Sequence, residues 1–272
     1  MKFDMNEAWR SASTMIRGNA QVLFIVAGVF FFLPSLAMAF FVPPPAVTDD
    51  LAGEQAFAAM AGYYEEALPF VLLAAVAQAV GVLALLALLN DHKRPTVGEA
   101  LKTGASSVLP YIAAQLIVSF GIGIVAIVLA GAIVASGAMV LAALLVPLGL
   151  AAAFYVFTKT SLVAPVLVIE GERSPVRAIA RSWALTKGNS LRLFGFYALL
   201  FVAFLVVMIV VSLIVGLLAA AVLGTGEALT MVDGAVSGAL GAVIVVYFVG
   251  FIAAAHRQLA GPSPEQVSAT FD

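Results

Sequence analysis

Residues 193–217 read LFGFYALLFVAFLVVMIVVSLIVGL, a run of 25 residues without an acidic or basic side chain. As a helix rising about 1.5 Å per residue, it is long enough to cross a hydrocarbon core about 30 Å thick. It predicts a transmembrane helix. Five further stretches of this kind lie at 22–42, 70–89, 109–133, 139–158 and 234–254, and the six together take up 132 of the 272 residues. None contains an acidic or basic residue. The run around Ser136-Gly137 separates the third from the fourth and predicts a tight helical hairpin.

Composition agrees. The chain is 63% hydrophobic and 10% charged, against about 45–50% and about 25% in soluble domains. One core cannot hide that excess, because roughly half of a folded surface still faces water. The low charge excludes disordered and coiled-coil classes. With no cysteine, disulfide scaffolds, thiolate metal sites and cysteine nucleophiles are excluded too. A net charge of −2 points to no nucleic-acid partner. The expected fold is all-α, a polytopic transmembrane helical bundle forming a single membrane domain over residues 1–272, with six spans and three cytoplasmic interfacial amphipathic helices.

Orientation follows from Lys and Arg, which are retained on the cytoplasmic side of span ends. All 13 lie in the N-terminal segment, in the connections after spans two and four, or in the tail. The alternate connections contain none and carry seven acidic residues: Asp49, Asp50, Glu54, Glu65, Glu66, Glu227 and Asp233. Both termini are therefore expected in the cytoplasm. Reporter fusions at Gly53 and Thr225 that read as cytoplasmic would refute this. A competing pattern is Arg17, the apolar run from Val22 and Ala37-Met38-Ala39, which has the form of a cleavable signal peptide. Against it, the leader before the run is long, and the run itself can span.

The cytoplasmic segments carry helix signals of their own. Ser174-Pro175 opens a helix that places Val176, Ile179, Ala180 and Trp183 on one face and Arg177 and Arg181 opposite, with Gly188 as the stop. Thr96 to Glu99 has the form of a capping box, opening a short helix through Lys102. Asp4 can cap a helix with Met5, Ala8, Trp9, Ala12 and Ile16 on one face, ending at Gly18. Shifting the first segment onto the third superposes Arg17-Gly18-Asn19 on Lys187-Gly188-Asn189, Leu23-Phe24 on Leu193-Phe194 and Ala8 on Ala178. Three repeat units follow, 4–90, 96–170 and 174–258, each an interfacial helix and a transmembrane hairpin. In the outer connection, Pro43-Pro44-Pro45 forces an extended exit, and residues 49–68 can form a helix with Phe57, Met60, Tyr64 and Leu68 along one side.

No catalytic, cofactor or metal constellation emerges, and no cofactor is expected. His92 and His256 lack a second ligand at helical spacing and read as solvated. Gly121-Ile122-Gly123 and the stripe Gly234, Gly238, Gly241 read as close helix packing. Gln78, Gln115 and Ser119 are the candidate intramembrane polar residues; the amides should bond across helices or face a wet cavity. The densest candidate for a lipid or partner site is the inner stretch with Lys159, Glu170, Arg177, Arg181, Trp183, Lys187, Asn189 and Arg192. Lys159 can snorkel from its span end. Arg177 and Arg181, stacked at i and i+4, need an anion nearby, which Glu170, Glu172 or a lipid phosphate could supply.

Within that stretch, Ala164-Pro165-Val166-Leu167-Val168-Ile169-Glu170-Gly171, Ser174-Pro175 and Arg181-Ser182-Trp183-Ala184-Leu185-Thr186-Lys187-Gly188-Asn189 resemble the signature of the glycerophosphoryl diester phosphodiesterase membrane-domain family and its YciC-like inner-membrane relatives. The resemblance implies a bacterial plasma-membrane (inner-membrane) protein. Some members join this region to a soluble phosphodiesterase barrel; no such barrel lies in these 272 residues, and no catalytic residues come with the membrane region. The expected function is non-enzymatic: binding anionic lipid headgroups at the cytoplasmic leaflet, or a membrane protein partner, in envelope lipid handling. The alternative is a lipid or small-molecule carrier or translocase with Gln78, Gln115 and Lys159 along its path.

Overall fold

A computed structural model describes residues 2–42, 53–90, 95–224 and 226–261. Among them the fold is helical throughout, with no strand. The elements are α1 (Met5–Ala27), a π-helical turn (Gly28–Phe32), α2 (Leu33–Phe41), α3 (Gly53–Leu88), α4 (Val97–Ser136), α5 (Met139–Thr160), α6 (Val163–Val168), α7 (Pro175–Leu185), α8 (Ser190–Leu223) and α9 (Glu227–Ala260). Six helical stretches are long and apolar enough to cross a membrane, so this is an all-α, multi-pass bundle. Its spans cover all six apolar runs to within one residue.

Local signals placed the helix starts correctly. The Asp4 carboxylate accepts from the N–H groups of Asn6 and Glu7, the capping box of Thr96 and Glu99 is formed, and the Ser174 hydroxyl accepts from Arg177 N–H. The hairpin turn between α4 and α5 is closed by Gly137 at φ 60°. Stop signals fared less well. Gly188, at φ 80°, lies in the turn after α7, which is capped at Thr186, but α1 runs through Gly18 and α4 through Lys102 and Gly104. Only α7 is a separate helix; the other two expected interfacial helices are the first turns of longer ones. Glycine permits a left-handed stop without imposing it, and the Asn19 amide donates back to the Met15 carbonyl inside the continuing helix. Likewise α3 passes from the outer segment through Pro69 without a break, while residues 43–52 lie outside the described residues.

In the π-helical turn, which Pro34 follows, the chain widens and Leu33 N–H reaches back to the Gly28 carbonyl. Helix α3 crosses at this turn with Gly81, where a Cβ would lie 2.6 Å from Phe30 Cβ.

The three capped starts share a further feature. Each is followed by two small residues a turn apart: Ala8 and Ala12, Ala100 and Gly104, Ala178 and Ser182. Each pair lies on another helix. A Cβ on Gly104 would come within 3.0 Å of the Val80 carbonyl and the Ala84 nitrogen of α3; one on Gly250 of α9 would lie 4.0 Å from Ala12 Cβ; Ser182 bonds to the end of α5. The core therefore gathers at one end of the bundle. Buried side chains run from Phe3 to Phe31, Leu83 to Leu89, Ala100 to Ala114, Leu162 to Val168, Leu193 to Leu200 and Ala242 to Ala255. Toward the other end, α2, most of α5 and α8 beyond Leu200 bury no side chain.

Two packing expectations need correcting. A Cβ on Gly121, Gly123 or Gly241 would meet nothing within 4 Å, so these glycines mark no close helix contact; where α4 and α5 do approach, it is at Gly149, where a Cβ would lie 3.0 Å from Leu129 Cδ1. Gly234 and Gly238 do allow close approach, to Ala39 and Ser35 of α2.

Candidate functional site

The basic end is tied together by polar side chains at the helix ends. Phe3 N–H donates to Asn189 Oδ1 (2.8 Å), Arg257 to the Ser11 hydroxyl (2.6 Å), and Gln258 to Glu7 Oε2 (2.8 Å). Arg173 Nη1 donates to the Ser106 carbonyl (3.1 Å). The stretch from Lys159 to Arg192 is thus joined to the segment leading into α1 and to α4, while α9 is joined to α1. Asn189 is a buried structural tie here, rather than part of an exposed ligand site.

Ser182 sits at the centre. Fully buried, it accepts from Leu162 N–H (3.2 Å) and donates to the Lys159 carbonyl (2.7 Å), fastening α7 across the break between α5 and α6. Such a break leaves backbone groups without helical partners, and one hydroxyl serves both. Helix α7 consequently has three faces: Ala178 and Ser182 toward the protein, exposed Val176, Ala180 and Trp183, and the exposed arginines. Periodicity marks apolar and charged faces but cannot show that the small residues are the buried ones.

The arginines find their anions inside the chain. Arg177 pairs with Glu172 (2.9 Å) and Arg181 with Glu170 (2.9 Å). Glu170 also bonds His256 Nε2 (3.0 Å). His256 is 3% exposed, which corrects its reading as a solvated residue; His92 lies outside the described residues. Burial pushes the Glu170 pKa up, but hydrogen bonds from His256 and Arg181 outweigh it and hold the carboxyl below its usual range. Glu172 is also held low, chiefly by Ser174 N–H, against slight burial and with help from Arg177 and Arg173.

Lys159 is placed differently. The residue is 3% exposed, and its ammonium lies 5.6 Å from the centroids of both the Tyr155 and Trp183 rings. Among the described residues, no carboxylate lies within 4.0 Å of it. Tyr155, one turn before Lys159, is the member that sequence reasoning missed, although its i, i+4 spacing could have flagged it. Lys187 and Arg192 are exposed and likewise have no carboxylate within reach among the described residues.

Outward from Trp183, a cleft of about 570 Å³ runs between α4 and α5. Its walls are almost wholly apolar, and Thr160, Ile179 and Trp183 line it alongside residues of the two spans. Gln78, Gln115 and Lys159 do not line it. Gln115 is exposed and bonds Tyr111 of its own helix (2.9 Å), while Gln78 and Ser119 are exposed. The expected bonds across helices are not made, because these side chains face away from the packed end.

Comparison with protein-family models, curated proteins and solved structures yields no match.

Proposed function

We propose that this chain is a non-enzymatic, multi-pass protein of a bacterial inner membrane, with both termini in the cytoplasm, that binds anionic phospholipid at its basic end in envelope lipid handling. One observation carries the proposal. After Arg177 and Arg181 are neutralised by Glu172 and Glu170, Lys159, Lys187 and Arg192 still have no carboxylate within 4.0 Å among the described residues. Near an anionic leaflet each such cation is worth about 1 kcal/mol. The one-sided distribution of all 13 Lys and Arg supports the orientation. The resemblance of residues 164–189 to the phosphodiesterase membrane domain supports the setting, and the three capped, small-paired starts support units 4–90, 96–170 and 174–258.

A carrier path along Gln78, Gln115 and Lys159 has no such support, since the α4–α5 cleft is lined by none of them. The test is native mass spectrometry of the protein released from nanodiscs of equal phosphatidylglycerol and phosphatidylcholine. Preferential retention of phosphatidylglycerol is expected. Equal retention of the two lipids overturns the proposal.

A further inference from the structure

We infer that Lys159, Tyr155 and Trp183 form the headgroup end of a specific phospholipid site, with one acyl chain of an anionic inner-leaflet lipid lying in the cleft between α4 and α5. This rests on the lipid-binding proposal and gives it a different address from the arginine pair that the sequence favours.

Three observations converge. The first is electrostatic: Lys159 is an almost fully buried residue whose ammonium contacts π faces and no carboxylate among the described residues. A buried cation is costly without a counter-charge, and two rings offset only part of that cost. Lys187, exposed and with no carboxylate within 4.0 Å among the described residues, adds positive charge to the same stretch, so the two lysines suit a headgroup of net negative charge better than a zwitterion. Tyr155 and Trp183, the rings over the ammonium, are themselves 48% and 40% exposed. They therefore leave an approach open, and Tyr and Trp are favoured at headgroup level.

The second is shape. The cleft is lined from Ile117 to Ile133 along α4, a helical rise of about 24 Å, which exceeds the depth of one leaflet of a core about 30 Å thick. Its volume of about 570 Å³ falls within the roughly 300–1,000 Å³ usual for a bound small molecule. The third is polarity. Trp183 lines the cleft and also lies under the Lys159 ammonium, so one side chain joins the apolar slot to the cation. An amphiphile with an anionic head and an apolar tail fits that sequence of surfaces. Leaving bilayer for an apolar slot is nearly neutral for the tail, so selectivity must come from the head.

The experiment uses the full chain in nanodiscs of equal phosphatidylglycerol and phosphatidylcholine, with lipid retention read by native mass spectrometry. Lys159→Gln should lower the preference for phosphatidylglycerol by about fivefold, the equivalent of one interfacial charge. Gly121→Phe projects a ring from a wall position where a Cβ meets nothing within 4 Å, and should reduce total retained lipid with an unchanged unfolding midpoint. Lys102→Gln, an exposed cation elsewhere on the basic end, should lower the preference less than Lys159→Gln does and leave total retained lipid unchanged. Unchanged retention in Lys159→Gln or in Gly121→Phe overturns this site while leaving the lipid-binding proposal intact. Absence of any phosphatidylglycerol preference in the unmodified protein overturns both.

Discussion

Helices α8 and α9 form one hairpin, yet they are opposites. The span 190–223 is the most apolar of the six and buries 6% of an apolar 18-residue stretch; the span 228–260 is the least apolar and buries 56% of its own. Hydrophobicity carries a helix into the bilayer but does not pull it onto another helix, because lipid tails are as apolar as leucine. What α9 has is relief: Gly234, Gly238 and Gly250 admit Ala39, Ser35 and Ile16. What α8 has beyond Leu200 is a bulky surface that only lipid need cover.

The sharpest way to break this contrast is a matched pair of substitutions. Gly250→Leu drives a side chain into Ile16, whose Cδ1 lies 2.7 Å from the position of a Cβ, and should cost about 3 kcal/mol. Gly216→Leu on α8 meets nothing within 4 Å and should fall within about 0.5 kcal/mol of the parent. Reversible unfolding in mixed micelles measures both, and equal losses would mean that the two helices are packed alike.

The basic end holds the same lesson in polar form. Ser182→Ala leaves Leu162 N–H and the Lys159 carbonyl without their partner, at a cost of about 2 kcal/mol, whereas Ser119→Ala, on the exposed part of α4, should be silent in the same assay. Glu170→Gln weakens the link between α7 and α9 through Arg181 and His256, with an expected loss of about 1.5 kcal/mol. Because Glu170 and Glu172 have lowered pKa values when folded, their contribution is complete above the unfolded value of about 4.3 and is lost as pH falls through the folded values below it. Hydrogen exchange should therefore show residues 170–182 loosening below about pH 4, ahead of α9; protection that holds constant there would refute the role given to these carboxylates. The smallest effect belongs to Arg177→Ala. Its side chain is 73% exposed, so water and salt screen the pair with Glu172 and the unfolding midpoint should not shift measurably.

Much of the site was legible as a place and little of it as an arrangement. The charge pattern picked out residues 159–192 because topology confines cations to one end. It left Glu170, Glu172 and a lipid phosphate open as the anion for Arg177 and Arg181, and the fold pairs these arginines with Glu172 and Glu170. Tyr155 and Ser182 went unnoticed, one as a span residue and the other as a minor polar position on a helix. Their roles depend on α7 folding back across the end of α5, a contact between segments some 25 residues apart that no local pattern encodes.

Taken alone, the sequence determined that the chain is helical and membrane-spanning, how many spans it has and where the capped helices α1, α4 and α7 begin, because hydrocarbon thickness and caps act locally along the chain. Tertiary structure alone decided where helices end, which end of the bundle closes and which cations keep no carboxylate. Those outcomes depend on what each small or polar residue meets across a helix interface: Gly18 and Gly188 share a local sequence, but only the second lies where the chain turns.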